Sequence, residues 1–126
     1  MQELAKLRMF KMKKILIALV LAASLSCAQH LISSDYESVS ITANPVQGSK
    51  KTVIIKDPKL VENIVWQINC GRKRPVKFGP TYRITFNYKD RKIDVDVGNR
   101  HVGIGDRTFE LPEDIQSELK RLVETH

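Results

Sequence analysis

Between Tyr82 and Glu110 the chain alternates apolar and polar residues across three turn signals, and this constrains the fold more than anything else in it. Tyr82, Ile84, Phe86 and Tyr88 are interleaved with Arg83, Thr85 and Asn87, and Ile93, Val95 and Val97 with Asp94 and Asp96. Period-two alternation predicts half-buried strands with one apolar face. Lys89-Asp90-Arg91-Lys92 turns the chain, and Gly98-Asn99 and Gly105-Asp106 read as two-residue hairpin turns. Folding through these turns sets Val95 opposite Val102, Ile93 opposite Ile104 and Val102 opposite Phe109, with every apolar side chain on one face. A one-residue slip would scatter them, so a four-stranded antiparallel meander is predicted.

The flanking segments supply the rest of an α+β domain. Val39, Ile41 and Ala43 alternate with Ser38, Ser40 and Thr42, and a β-branched run follows at Lys51 to Lys56. The turn-rich Asn44-Pro45-Val46-Gln47-Gly48-Ser49 between them suggests a hairpin. Asp57-Pro58 is a helix start, and Leu60, Val61, Ile64, Val65 and Ile68 follow at helical spacing until Gly71. Pro112-Glu113-Asp114 opens a last helix with the stripe Ile115, Leu119, Leu122 and Val123. The expected order is ββα-ββββα, a sheet covered by two helices, in one domain over residues 38–126 behind a polar tether at 29–37.

Residues 1–28 read as an address. Lys11, Lys13 and Lys14 precede the apolar run Ile15 to Ala23, which is too short to span a bilayer and ends in small residues, as in a secretory signal peptide. Met9 and Met12 offer alternative starts. Ser24-Leu25-Ser26-Cys27 resembles the lipobox of bacterial lipoproteins, with Leu25 one position nearer the cysteine than usual. That resemblance implies acylation of Cys27 and anchoring in the envelope membrane. A cut after Ser26-Cys27-Ala28, leaving Gln29 first, is the ordinary alternative. Cys70 is the second of the chain's 2 cysteines and is available to pair with Cys27 where that residue is kept unmodified.

The charge changes meaning on this reading. The full chain carries 21 Lys+Arg against 14 Asp+Glu, net +7. Residues 1–28 hold Lys6, Arg8, Lys11, Lys13 and Lys14 against Glu3, so 16 cations and 13 anions remain, net +3. An overall basicity that would suggest nucleic acid therefore belongs largely to the export signal, and no nucleic-acid partner is expected.

Three groups of residues are candidates for function. The expected register lines up Asp96, His101 and Glu110 in one row with Asp94 two residues along, a weak metal or acid–base arrangement for a hydrolase. Solvated cross-strand charge pairs are the simpler account of that row. Trp66 lies on the side of its helix away from the apolar stripe, with Cys70 one turn further along, and is either covered by the local chain or a partner contact. Arg72, Lys73, Arg74 and Lys77 crowd a connector able to grip an anionic lipid or glycan. Gly103-Ile104-Gly105 lies in a hairpin and does not lead a helix, so it is no phosphate loop. No nucleophile–base constellation and no cofactor motif can be assigned. The expectation is a non-enzymatic, exported binding module of the cell envelope, with an envelope protein or polymer as partner. A metal-assisted hydrolase and an anion-gripping envelope component are the alternatives.

Overall fold

In the computed structural model, which describes residues 30–46 and 50–126, the alternating segments all join one antiparallel sheet. The strands are β1 (Ser38–Ala43), β2 (Lys51–Ile55), β3 (Arg72–Lys73), β4 (Tyr82–Asn87), β5 (Lys92–Gly98), β6 (His101–Ile104) and β7 (Arg107–Glu110). Their order across the sheet is β2-β1-β4-β5-β6-β7-β3. The helices are α1 (Glu62–Asn69), entered through a 3-10 turn at Pro58–Val61, and α2 (Gln116–Thr125). The α+β class and the element order agree with the sequence reading. The signal segment 1–28, Cys27 included, lies outside the described residues. Among those residues no helix is long and apolar enough to cross a membrane.

Hydrophobic alternation selects one face of the sheet. Val39 pairs with Ile55 and Phe86, and Ile41 with Val53 and Ile84. Ile84 pairs in turn with Val95, Val97 with Val102, and Val102 with Phe109. These side chains form one core with Val61, Ile64 and Ile68 from the first helical segment and Ile115, Leu119, Leu122 and Val123 from the last. The N-terminal hairpin is thus continuous with the meander, because β1 zips along β4 over six residue pairs.

Three boundaries differ from the sequence expectation. The β5–β6 turn falls on Asn99-Arg100, with Asn99 at φ 54°, and Gly98 stays in the strand opposite His101. Val97, not Val95, therefore faces Val102, and Asp96 faces Gly103. Ile93 pairs with Phe86 and has no partner in Ile104. A shift of two residues keeps every side chain on its expected face, so hydrophobic patterning could not detect it. The connector after α1 contributes the short edge strand β3, paired with β7 through Arg72 to Glu110 and Lys73 to Phe109. The last helix starts at Gln116, with the Asp114 carboxylate accepting from the Gln116 amide at 2.9 Å.

Two features draw more of the chain inward than its polarity suggests. Ile32, in the expected tether, is only 2% exposed. Its amide donates to Asn69 Oδ1 at 2.9 Å, and its carbonyl accepts from Asn69 Nδ2 at 3.1 Å. Tyr88 Oη donates to the Ser33 carbonyl at 2.9 Å, and Tyr36 meets the Phe86 ring edge-on at 5.5 Å. The stretch 31–36 is therefore packed against the domain. The buried face of α1 includes Gln67, whose Oε1 accepts from the Glu113 amide at 3.0 Å and so ties α1 to the approach of α2. Leu60, expected on that face, is exposed.

Candidate functional site

The second face of the sheet is polar and carries a ladder of cross-strand pairs. Thr42 and Thr52 hydroxyls are 3.0 Å apart, Asn87 Nδ2 donates to Ser38 and Ser40, and Thr85 donates to Asp94 at 2.6 Å. Arg83 Nε meets Asp96 Oδ1 at 2.8 Å. Asp94 and Asp96 are thereby engaged by β4. The expected Asp96–His101 juxtaposition is replaced by Gly98 opposite His101, whereas His101 opposite Glu110 is present, at 3.9 Å between Nε2 and Oε2. Among the described residues no group of three or more His, Cys, Asp or Glu side chains is gathered in a way that would hold a metal ion.

Residues 74–80 strap over part of this face. Thr108 fixes the strap: its hydroxyl donates to the Arg74 carbonyl and accepts from the Val76 amide at 3.2 Å, and its carbonyl accepts from the Arg74 amide at 2.9 Å. The Phe78 ring then lies over Gly98 and Gly103 and stacks on His101 at 6.2 Å between centroids. A Cβ on Gly98 would come within 2.6 Å of both the Gly79 carbonyl oxygen and Phe78 Cδ2. This close approach, not turn formation, requires glycine at position 98. Gly98→Ala is accordingly expected to lift the strap and lower stability by about 1–3 kcal/mol, the usual cost of overpacking. Urea denaturation measures that loss, and repeating it in a Phe78→Ala background should give a smaller one.

The strap encloses one cleft of about 700 Å³, lined by Lys77, Phe78, Arg83, Asp94, Asp96 and Thr108 among others. A more enclosed cleft of about 450 Å³ lies at the β3–β7 edge where α1 ends. Its walls are Trp66, Cys70, Arg72, Arg100, Glu110, Leu111 and Pro112. Local structure explains each wall. Trp66 sits on the side of α1 away from the core, half-buried, and its carbonyl accepts from the Cys70 amide at 3.0 Å as the helix closes. Gly71 permits tight passage under Phe109, since a Cβ there would lie 3.1 Å from the Phe109 Cβ. Arg100 and Leu111 are joined by a backbone hydrogen bond of 2.7 Å, and Arg100 Nη2 donates to the carbonyls of Leu111 and Pro112 at 3.1 and 2.9 Å.

Glu110 is the electrostatic centre of this edge. Arg74 Nη1 donates to its Oε2, and Arg100 Nη2 stands 3.9 Å from Oε1. The hydrogen bond from Arg74 holds the Glu110 carboxyl below the usual carboxylate range, with further help from the charges of Arg74, Arg100 and His101. A folded-state pKa below the unfolded one contributes stability above the unfolded value and loses it as pH falls through the folded value. The stability difference between the wild type and Glu110→Gln is therefore expected to be present at neutral pH and to shrink below about pH 4.3. Denaturation midpoints from pH 7 to pH 3 measure it.

The four cations of the connector do not converge. Arg72 lines the Trp66 cleft, Lys77 lines the strap cleft, and Lys73 and Arg74 line a shallow groove with Arg107. Trp66, Cys70 and Arg72 are brought together as one site, joined by Arg100, Leu111 and Pro112, which sequence reasoning did not single out. Arg100 carried no signal because its role depends on facing carbonyls eleven and twelve residues away. Phe78 was missed for a similar reason: it is an aromatic between prolines with no periodic neighbours. Comparison of the chain with protein-family models, with curated proteins and with solved structures returned no match.

Proposed function

We propose that the chain is an exported binding module, held at the cell envelope through an acylated Cys27, that presents the Trp66 cleft to a ligand or partner there. The observation that carries this reading is the cleft itself: a half-buried indole in a concave site, walled by guanidinium groups and mounted on a helix end and sheet edge. Binding sites of this kind combine an aromatic anchor with a few polar groups held by rigid elements. The basic amino-terminal segment and the Ser24-Leu25-Ser26-Cys27 run support export and anchoring. A metal-assisted hydrolase draws less support, because Asp94 and Asp96 are occupied by Thr85 and Arg83.

Expression of the full chain and of Cys27→Ser in a bacterial host tests the anchor. Intact mass is expected to show acylation of the wild type and membrane fractionation that Cys27→Ser loses. Cross-linking in intact cells, followed by recovery of wild-type and Trp66→Ala protein, tests the cleft. Trp66→Ala, folded and exported as wild type, is expected to lose the cross-linked product. Equal cross-linking by both would overturn the assignment of the binding surface.

A further inference from the structure

Building on the binding reading above, we propose that the Trp66 cleft takes a ligand bearing a carboxylate or phosphate on a ring-sized body. Its volume of about 450 Å³ fits a small molecule or a single terminal unit of a polymer. Its two sides differ in chemistry. Trp66, Leu111 and Pro112 give an apolar wall, and Arg72 and Arg100 give a cationic one.

The cationic side is arranged for an anion from outside the chain. Arg100 is held by the Leu111 and Pro112 carbonyls through Nη2 alone, so its position is set before a ligand arrives while Nε and Nη1 make no hydrogen bond among the described residues. Prior ordering of a long side chain lowers the entropy cost of binding. Arg72 is carried on β3 opposite Glu110, and its guanidinium makes no hydrogen bond or ion pair among the described residues. Glu110 does not satisfy it, because that carboxylate is already hydrogen-bonded by Arg74 and lies 3.9 Å from both Arg100 and His101. Glu110 is thus engaged by Arg74 and Arg100, and Arg72, which lines the same cleft without a carboxylate of its own, leaves surplus positive charge there.

A guanidinium presents a planar fork of N–H donors that matches the oxygens of a carboxylate or phosphate. A ring attached to that anion would lie against the indole, where stacked contacts are favoured. A cation would meet the surplus positive charge. A wholly apolar ligand would desolvate Arg72 and Arg100 without supplying acceptors. The combination of an apolar wall with an under-neutralised one therefore selects an anion on a ring.

Trp66 is the chain's single tryptophan, so its fluorescence reports this cleft. Titration of the full chain in neutral detergent uses three probes: phenyl phosphate, inorganic phosphate as the anion alone, and phenol as the ring alone. Phenyl phosphate is expected to give a saturable change in Trp66 emission, with an affinity roughly tenfold above inorganic phosphate and weakened by added salt. Arg72→Ala and Arg100→Ala should each lose about tenfold, the scale of one charge-assisted hydrogen bond, whereas Lys77→Ala in the strap cleft should not. Arg72 is exposed and can be truncated without disturbing the core, so the test stands even if Arg100→Ala loosens the 111–112 turn. No saturable response to phenyl phosphate, or one unchanged in Arg72→Ala, would overturn the proposal. Equal affinity for inorganic phosphate would overturn its ring component. If Trp66-dependent cross-linking in cells persists while these probes fail, this proposal alone falls. Failure of both removes the binding reading as well.

Discussion

Replacing Phe86 by alanine is expected to destabilise the domain by about 3–5 kcal/mol, enough to consume a large share of the 5–15 kcal/mol that holds a typical domain folded. Phe86 is 0% exposed at the middle of the sheet. On one side it faces Val39, which joins the amino-terminal hairpin to the meander, and on the other it faces Ile93. Its ring also receives the edge of Tyr36 from the segment that precedes β1. Removing it leaves a cavity where three parts of the chain meet, and strands zipped on both sides cannot collapse to fill it. Equilibrium urea unfolding followed by circular dichroism measures the loss. A change below about 1 kcal/mol would show that the ring is not packed as described.

The second large effect is expected at a position that looks dispensable in the sequence. Ile32→Ala should cost about 2–5 kcal/mol, the range for truncating a buried isoleucine. Ile32 lies in a polar stretch, His30 to Glu37, that reads as a tether. In the folded chain its side chain is in the core, and Asn69 clamps its backbone through both the amide and the carbonyl. Asn69→Ala should reproduce part of the loss by leaving that backbone pair without its partners, at about 1–3 kcal/mol. A loose tether would instead show less than about 0.5 kcal/mol for Ile32→Ala. The same denaturation experiment on the two variants decides between these outcomes.

The consequence is geometric. With residues 31–36 packed against the domain, only a few residues of chain separate position 27 from the packed segment, so the stretch 29–37 is not a free tether along its length.

Much of this architecture was legible because local chemistry and tertiary structure agree. The Gly105-Asp106 turn, with Gly105 at φ 61°, placed Val102 opposite Phe109 and His101 opposite Glu110 as expected. Asp57 caps the first helical segment by accepting from the Lys59 amide at 3.0 Å. Trp66 stood out because an indole away from an apolar stripe needs a covering surface or a partner. The site around it was only half legible. Arg72 was noticed as one of a basic run, yet the fold separates that run, with alternate residues of β3 pointing to opposite faces and Lys77 carried off on the strap.

By itself the sequence determined which face of each meander strand and of the last helix turns to the core, since period-two and helical periodicities are properties of neighbouring residues and survive any even shift in register. What the sequence left open were the choices that periodicity cannot see. These are the two-residue offset at the β5–β6 turn, the zipping of β1 along β4, the seating of Ile32, and the strap that makes Gly98 a strand glycine under Phe78. Each depends on which distant surfaces fit together once the chain is compact. The Trp66 cleft is of the same kind: its apolar wall comes from one helix end and the 111–112 turn, and its guanidiniums from an edge strand and a hairpin tip. Only the tertiary fold brings them within reach of one ligand.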